Sequence, residues 1–182
     1  MGKYVLQLAW VAAVALAAGA SPLNASCSVS SYDGVASAVS SCTSITLGSF
    51  TVPAGKALSM SLKSGTTVTV TGTIKFGYSE WKGPLVEIAG SKITFKGSGG
   101  SFDGEGSKYW DGKGDKGKTK PKFFRIKTSG GSTFSNIKLK NCPHQCVSIN
   151  SASDTTLTGW TVDVSAGDSV SFSLRSTNTA AS

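Results

Sequence analysis

The sequence predicts an all-β solenoid, a parallel β-helix, on three observations. Short runs that alternate apolar residues with Ser, Thr or Lys follow one another from Thr67 onward, which is the period-two pattern of half-buried strands. Several of these runs recur at a spacing of 23 residues, and such a period is typical of stacked coils that share one apolar interior. The composition agrees, because 22 of the 182 residues are Gly and only 15% are charged, which disfavours a charged helical bundle.

The 23-residue repeat is clearest in the second half of the chain. A longer offset of 44 residues relates Ile93-Thr-Phe95-Lys96 to Ile137-Lys-Leu139-Lys140, and it suggests two coils with a loop expanded between Gly97 and Lys118. A β-sandwich, the alternative, would show hairpin turns and irregular spacing instead. The pairs aligned at 23 residues are Thr133-Phe134 with Thr156-Leu157, Phe124-Arg-Ile126 with Val147-Ser-Ile149, Ile137-Lys-Leu139 with Trp160-Thr-Val162, and Val147-Ser-Ile149 with Val170-Ser-Phe172.

Residues 1–20 have the features of a secretory signal peptide. A short basic start containing Lys3 precedes an apolar run from Val5 to Ala20, and Ala18-Gly19-Ala20 supplies small residues at the cleavage position. A membrane span, the alternative, needs about 20 apolar residues. We therefore expect a secreted, extracellular protein with no membrane segment after cleavage, in which residues 21–182 form the β-helix domain.

Secretion makes disulfide bonds the expected state of the four cysteines. Cys27 and Cys42 flank the stretch from Val29 to Ser41, whose apolar residues have helical spacing. Their pairing would staple a short N-terminal capping helix to the start of the next strand. Cys142 and Cys146 can pair with each other through a tight loop.

A zinc site is the alternative for Cys142-Pro-His144-Gln-Cys146, although its spacing differs from that of the usual structural sites. We expect neither a metal nor a cofactor. Asn24 begins the sequon Asn24-Ala-Ser26, which predicts N-glycosylation near an exposed mature N-terminus.

A distinctive segment joins Tyr109-Trp110-Asp111-Gly to Lys120-Pro-Lys-Phe-Phe124. Together with Phe76-Gly-Tyr-Ser-Glu-Trp81-Lys-Gly-Pro-Leu85 and Ile137-Lys-Leu-Lys-Asn-Cys-Pro-His-Gln145, it resembles the endopolygalacturonases, secreted glycoside hydrolases that degrade pectin. The resemblance extends from about Cys27 to Asp168. It implies a right-handed parallel β-helix that hydrolyses α-1,4-linked galacturonan with inversion. It also implies plant polygalacturonase-inhibiting proteins as further partners.

The resemblance implies that three Asp residues act as acid and base, from an Asn-Thr-Asp motif and a later Asp-Asp pair. An inverting enzyme needs two carboxyl groups about 6.5–9.5 Å apart. Here Asn178-Thr179 is followed by Ala180, and the sequence ends at Ser182. The Asp-Asp, Gly-His-Gly and later Arg-Ile-Lys motifs are absent from it. We therefore expect a β-helix truncated on its C-terminal side, without catalytic residues and inactive alone; the alternative is a non-catalytic solenoid that binds pectin or an inhibitor protein.

Other candidate catalytic residues have simpler explanations. Asp103, Glu105 and Asp111 share one Gly-rich loop, but Asp favours turns and Gly permits positive φ. Arg125-Ile126-Lys127 matches an early strand with outward Arg and Lys around an inward Ile. His144 is the only His, and we expect it to be structural because no acid adjoins it in the sequence.

Six lysines crowd the segment around Tyr109 and Trp110. Aromatic faces can stack on sugar rings, and lysines attract a polyanion such as polygalacturonate. A solvated loop with solubilising lysines is the alternative, and secretion argues against nucleic acid as the partner. The expected substrate-binding residues are Tyr109, Trp110, Lys113, Lys116, Lys118 and Asn178.

Overall fold

The computed structural model describes residues 26–114, 116–149, 151–165 and 180–181. Within these ranges the chain forms short strands, one α-helix and a 3₁₀ turn at Gly106–Lys108. In chain order the elements are β1 (Ser26–Val29), α1 (Gly34–Ser41), β2 (Ser44–Leu47), β3 (Phe50–Val52), β4 (Leu58–Ser61), β5 (Thr67–Val70), β6 (Thr73–Phe76), β7 (Val86–Ser91), β8 (Thr94–Gly97), β9 (Ser101–Asp103), β10 (Phe124–Ser129), β11 (Ser132–Ser135), β12 (Lys138–Lys140), β13 (Val147–Ile149), β14 (Thr155–Thr158), β15 (Thr161–Asp163) and β16 (Ala180–Ala181).

The strands form three parallel sheets that the chain visits in turn. The first sheet has the order β1-β2-β5-β8-β11-β14-β16, the second β15-β12-β9-β6-β3, and the third β13-β10-β7-β4. From β2 to β13, each coil places one strand in the first sheet, one in the second and one in the third. The predicted parallel β-helix is therefore confirmed.

The register confirms the 23-residue repeat. Thr133 lies opposite Thr156, Phe124 opposite Val147, and Leu139 opposite Val162. The comparison of Val147-Ser-Ile149 with Val170-Ser-Phe172 falls outside the described residues. Where the pairing can be seen, the spacing corresponds to one complete coil.

The 44-residue alignment is wrong. Phe95 pairs with Phe134 in the first sheet, whereas Leu139 pairs with Phe102 in the second. The inserted residues lie between β9 and β10, after Asp103, rather than from Gly97. The error has a physical cause, since strands of different sheets carry the same apolar and lysine alternation, and a period of two does not distinguish one sheet from another.

The interior consists of apolar side chains stacked in register from coil to coil. The Phe95 and Phe134 rings stack with centroids 5.5 Å apart, and the Phe124 ring meets both edge-on at 6.1 and 6.4 Å. All three side chains are fully buried. One such row runs through Ile45, Val68, Phe95, Phe134 and Leu157.

Helix α1 covers the N-terminal end of this interior and confirms the predicted cap. Its buried residues are Val35 and Ala38, and both belong to the apolar core. The Cys27–Cys42 disulfide is formed. It joins β1 to the residue that ends the helix, so the expectation that it staples the helix to the following strand is corrected.

Loops from the second sheet to the third stack along one side of the coils. They comprise residues 53–57, 77–85, 104–123 and 141–146. Neighbouring loops touch through backbone, since Leu85 N donates to Lys122 O and Phe123 N donates to Gln145 O. This stacking brings residues from distant parts of the chain to one edge of the third sheet. In the described part of the chain, no helix is long and apolar enough to cross a membrane.

Candidate functional site: a basic loop beside the third sheet

The loop between β9 and β10, residues 104–123, is the most highly charged part of the described surface. It has six lysines and three acids, and we call it the basic loop. At its start Gly104 N donates to Lys140 O at 2.9 Å and Gly106 N donates to Asn141 O at 2.8 Å. At its end Phe123 N is bound to Gln145 O at 2.9 Å. Both ends are thus fixed to the next coil, while the middle projects beside the third sheet.

Asp111 organises the middle of the basic loop. Its two carboxylate oxygens accept the backbone N–H groups of Lys113 at 3.2 Å and Lys118 at 3.0 Å. The Lys120 ammonium lies 2.5 Å from Oδ1. The Lys120 side chain, and then these backbone donors, hold the pKa of Asp111 well below its usual range. Asp111 is therefore an ionised structural group whose hydrogen bonds set the path of the loop.

Trp110 fixes the base of the loop to the next coil. Its Nε1 donates to Cys142 O at 3.1 Å, and its half-buried ring lies across Gly106. A Cβ at Gly106 would stand 2.5 Å from the Trp110 ring and 2.6 Å from Asn141 O. Glycine is thus required at position 106 because the indole ring approaches so closely. The main role of Trp110 is to hold the base of the basic loop against the next coil.

The structure corrects the role expected of Tyr109. Its side chain is 1% exposed, and its hydroxyl accepts a hydrogen bond from Ser79 N at 3.1 Å. Burial raises the pKa of the phenol. In this arrangement neither face of the Tyr109 ring is open to a sugar, so we assign it a packing role.

The aromatic ring that is exposed at this position belongs to Tyr78, which the sequence analysis did not single out. Tyr78 is 38% exposed, and its ring centroid lies 4.8 Å from that of Tyr109. Its hydroxyl donates to Glu80 Oε1 at 2.7 Å, and this hydrogen bond raises the pKa of Tyr78. The Lys118 ammonium lies 5.9 Å from the Tyr78 ring centroid. The sequence offered little indication that Tyr78 belongs to this site, because Tyr78 and the basic loop are far apart in the chain.

Lys108 of the basic loop is exposed but pairs with Glu105. The other exposed lysines of the loop are Lys113, Lys116 and Lys118. They project from the part of the basic loop that Asp111 organises, so three of the expected binding residues lie close together in one loop. Asn178, Asn24 and residues 1–20 lie outside the described residues. Ala180 lies in β16, opposite Thr156.

The other acids of the Gly-rich loop form ion pairs and hydrogen bonds. Glu105 pairs with Lys108 and, at 3.3 Å, with Lys75, and the Lys108 ammonium is the main reason why the pKa of Glu105 is lowered. Asp103 Oδ1 accepts Glu105 N at 3.0 Å and Asn141 Nδ2 at 2.9 Å. This geometry fits the structural interpretation of both acids.

The outer face of the third sheet adjoins the basic loop and carries a second group of charges. Glu87 Oε2 lies 3.3 Å from Arg125 and 3.1 Å from Lys127, so two cations share one acid. Ile126 between them is fully buried, which matches the predicted strand with an inward Ile. Ser59, Glu87 and Arg125 lie in one row along this face, and Ser148, the next residue in register, is buried.

The Cys142–Cys146 disulfide is formed, in the loop that receives the Trp110 hydrogen bond. Both sulfurs are therefore committed to a covalent bond and are not available as thiolate ligands. The disulfide therefore argues against the zinc alternative for Cys142, His144 and Cys146, and the expected pairing of the two cysteines is the one observed. The disulfide instead braces the loop on which the base of the basic loop rests.

The fold defines the chain as a parallel β-helix with an N-terminal helical cap and a basic loop at the edge of one sheet. Residues 42–181 match the model of glycosyl hydrolases family 28, and the chain belongs to this family. The Cys27 to Asp168 resemblance lies largely within this match.

Relatives and a solved structure agree with this assignment. The chain is 46% identical over 160 residues to a polygalacturonase of Phaedon cochleariae and 52% identical over 134 residues to an endo-polygalacturonase of Sclerotinia sclerotiorum. These alignments cover 86% and 71% of this chain but only 44% and 35% of the relatives. Endopolygalacturonase I of Stereum purpureum, solved with two galacturonates, is 41% identical with a TM-score of 0.72, over 78% of this chain and 43% of that one. The chain thus spans less than half the length of these relatives.

Proposed function

We propose that this chain is a secreted galacturonan-binding member of the family that does not hydrolyse its ligand by itself. The observation that carries the proposal is the exposed group of Lys113, Lys116 and Lys118 beside the third sheet. Lys120 is the lysine that neutralises Asp111. The positive charges of Lys113, Lys116 and Lys118 therefore face solvent, where an anionic ligand can reach them. Polygalacturonate is a polyanion of matching sign.

The shape of the neighbouring sheet suits a linear polymer. The row Ser59, Glu87 and Arg125 crosses three strands in register, and neighbouring strands are about 4.8 Å apart. A chain of sugars laid along this row would meet one coil after another. Arg125 and Lys127 together exceed the single charge of Glu87, so this face also favours an anion.

The sequence motifs support the proposed lack of hydrolysis. The 182 residues contain no Asn-Thr-Asp, Asp-Asp or Gly-His-Gly motif, and Asp103, Glu105 and Asp111 are held by the contacts described above. Within the residues that the structure describes, these acids therefore do not offer the two free, suitably separated carboxyl groups that inversion requires, which supports the proposed lack of hydrolysis. Among the described residues no specific feature favours a plant inhibitor protein as the ligand, so we propose the glycan.

Binding and hydrolysis can be tested together on the full chain. We expect retention on polygalacturonate in affinity electrophoresis and no release of reducing sugar. Replacing Lys113, Lys116 and Lys118 by Ala should weaken binding about tenfold at low ionic strength, with a smaller effect at high salt. The matched control replaces the exposed Lys63, Lys96 and Lys138, which changes the net charge equally. Equal weakening by both triple variants, or hydrolysis by the wild-type chain, would contradict the proposal.

A further inference from the structure

Tyr78 is the one large hydrophobic side chain that is exposed in the described part of the chain. It follows β6, in the loop 77–85, and therefore lies beside the basic loop of the next coil. We propose that Tyr78 and Lys118 form a subsite for one uronic acid residue, in which the sugar ring stacks on Tyr78 and its carboxylate pairs with Lys118. This inference rests on the proposed function, since it names two residues that would contact the galacturonan.

The Tyr78 ring is held in place from two sides. The Tyr109 ring supports it at a centroid distance of 4.8 Å with the planes tilted by 40°. Tyr109 is itself buried, and its hydroxyl accepts Ser79 N, which ties the residue next to Tyr78 to the basic loop. The bond from the Tyr78 hydroxyl to Glu80 Oε1 fixes the far end of the ring. An exposed aromatic ring that is ordered before a ligand arrives loses little conformational freedom on binding.

The charges around the ring match a uronate rather than a neutral sugar. Lys118 Nζ lies over the Tyr78 ring, 5.9 Å from its centroid. A sugar that stacks on this ring would displace the flexible Lys118 side chain to the edge of the sugar, where the ammonium can pair with the carboxylate. The backbone of Lys118 is placed by its N–H bond to Asp111 Oδ2 at 3.0 Å. Glu80, at the hydroxyl end of the ring, repels a second carboxylate there. The arrangement therefore favours a sugar with its single acidic group directed towards Lys118.

The two residues make contributions that respond differently to salt. Stacking on Tyr78 depends on apolar contact and on the π face of the ring, whereas the Lys118 ion pair on the surface is screened by added ions. Loss of Tyr78 should therefore weaken binding by a similar factor at low and high salt. Loss of Lys118 should weaken it mainly at low salt.

The test measures hexagalacturonate binding to the full chain by calorimetry. We expect Tyr78→Ala to weaken binding about tenfold at both salt concentrations, Tyr78→Phe and Tyr78→Trp to bind within about twofold of the wild type, and Lys118→Ala to lose affinity at low salt only. Thermal melting is measured for each variant. If Tyr78→Ala also melts early, the comparison rests on Tyr78→Phe and Tyr78→Trp against Tyr78→Leu, which retains apolar bulk but no aromatic face and should bind as weakly as alanine.

The outcomes separate this inference from the proposed function. If Tyr78→Ala and Tyr78→Leu bind as tightly as the wild type while the Lys113, Lys116 and Lys118 triple variant is weakened, the subsite is wrong and galacturonan binding stands. If the wild type binds no galacturonate polymer or oligomer, the proposed function fails and the subsite fails with it. An effect of Tyr78→Ala that disappears at high salt would also overturn the stacking role.

Discussion

Lys120 Nζ lies 2.5 Å from Asp111 Oδ1, and the Lys120 side chain is only 5% exposed. The same ammonium donates to Gly114 O at 2.6 Å, so one lysine closes the basic loop upon itself. A long polar side chain is seldom buried without such partners. The ion pair therefore gives Lys120 a structural role, which distinguishes it from the exposed lysines to which we assign glycan binding.

Asp111→Asn should loosen the basic loop without unfolding the chain. The variant keeps the shape of the side chain but loses the charge that Lys120 and the two backbone donors require. We expect amide exchange at Lys113 and Lys118 to rise about tenfold or more, with little change in global melting, because local opening is cheaper than global unfolding. Asp154→Asn, an exposed acid in another turn, is the control and should leave these amides unchanged. Equal exchange in both variants would contradict the role of Asp111.

The same ion pair predicts a dependence on acid. Since the pKa of Asp111 is lowered in the folded chain, its contribution to stability is complete above the unfolded carboxyl pKa, near 4. It is lost as the pH falls through the lower, folded value. Below about pH 4 the protection of the Lys113 and Lys118 amides against exchange should therefore fall more steeply in the wild type than in Asp111→Asn, because the charge of Asp111 stabilises the loop rather than the whole fold. Equal loss of protection at these two amides in both proteins as the pH falls would contradict this sign.

Tyr109→Phe tests the support beneath the exposed ring. The change removes the acceptor of Ser79 N and should cost about 1 kcal/mol of unfolding free energy. Tyr109→Ala also leaves a cavity in a fully buried site, and its cost should be about 3 kcal/mol or more. Urea denaturation measures both. Tyr78→Phe is the matched control, because it removes an exposed phenol and should have little effect; similar losses at both tyrosines would contradict the packing role of Tyr109.

The contrast between Tyr109 and Tyr78 shows what could be predicted from the sequence. Alternation along strands such as Phe124-Arg-Ile126 predicted which side chains face inward, and the 23-residue repeat predicted the stacked coils. The apolar spacing between Cys27 and Cys42 predicted the cap. Each of these patterns is local or periodic. Each can therefore be recognised in the sequence without knowing which distant residues come together in the fold.

The remaining features depend on which loops stack on one another. Tyr78 and Tyr109 meet because loops of successive coils lie side by side, although the two residues are 31 positions apart in the chain and an irregular insertion begins between them. The residues next to Tyr78 and Tyr109 in the sequence do not indicate which of the two rings is buried and which is exposed. The same problem made Ile93-Thr-Phe95-Lys96 align with the wrong strand, since identical alternation occurs in different sheets.

The two disulfides should contribute unequally to stability. Cys27 and Cys42 are 15 residues apart and Cys142 and Cys146 are four apart, and a longer closed loop restricts the unfolded chain more. On the chain-entropy model, replacing both cysteines by Ala should cost about 3 kcal/mol for the first pair and about 2 kcal/mol for the second. Denaturation of each double variant measures this. A larger loss at the second pair would show that its support of the Trp110 loop outweighs the entropic effect.

Gly106→Ala should disturb the base of the basic loop. The added methyl would lie 2.5 Å from the Trp110 ring and 2.6 Å from Asn141 O, and the backbone oxygen has no room to move because it accepts Gly106 N. Overpacking of this kind costs about 1–3 kcal/mol, and binding of hexagalacturonate should weaken with it because the lysines are displaced. Gly34→Ala is the control: its Cβ would meet nothing closer than 3.6 Å, and alanine at the start of α1 should be neutral or slightly stabilising. A Gly106→Ala chain that melts and binds like the wild type would show that the indole does not hold the loop.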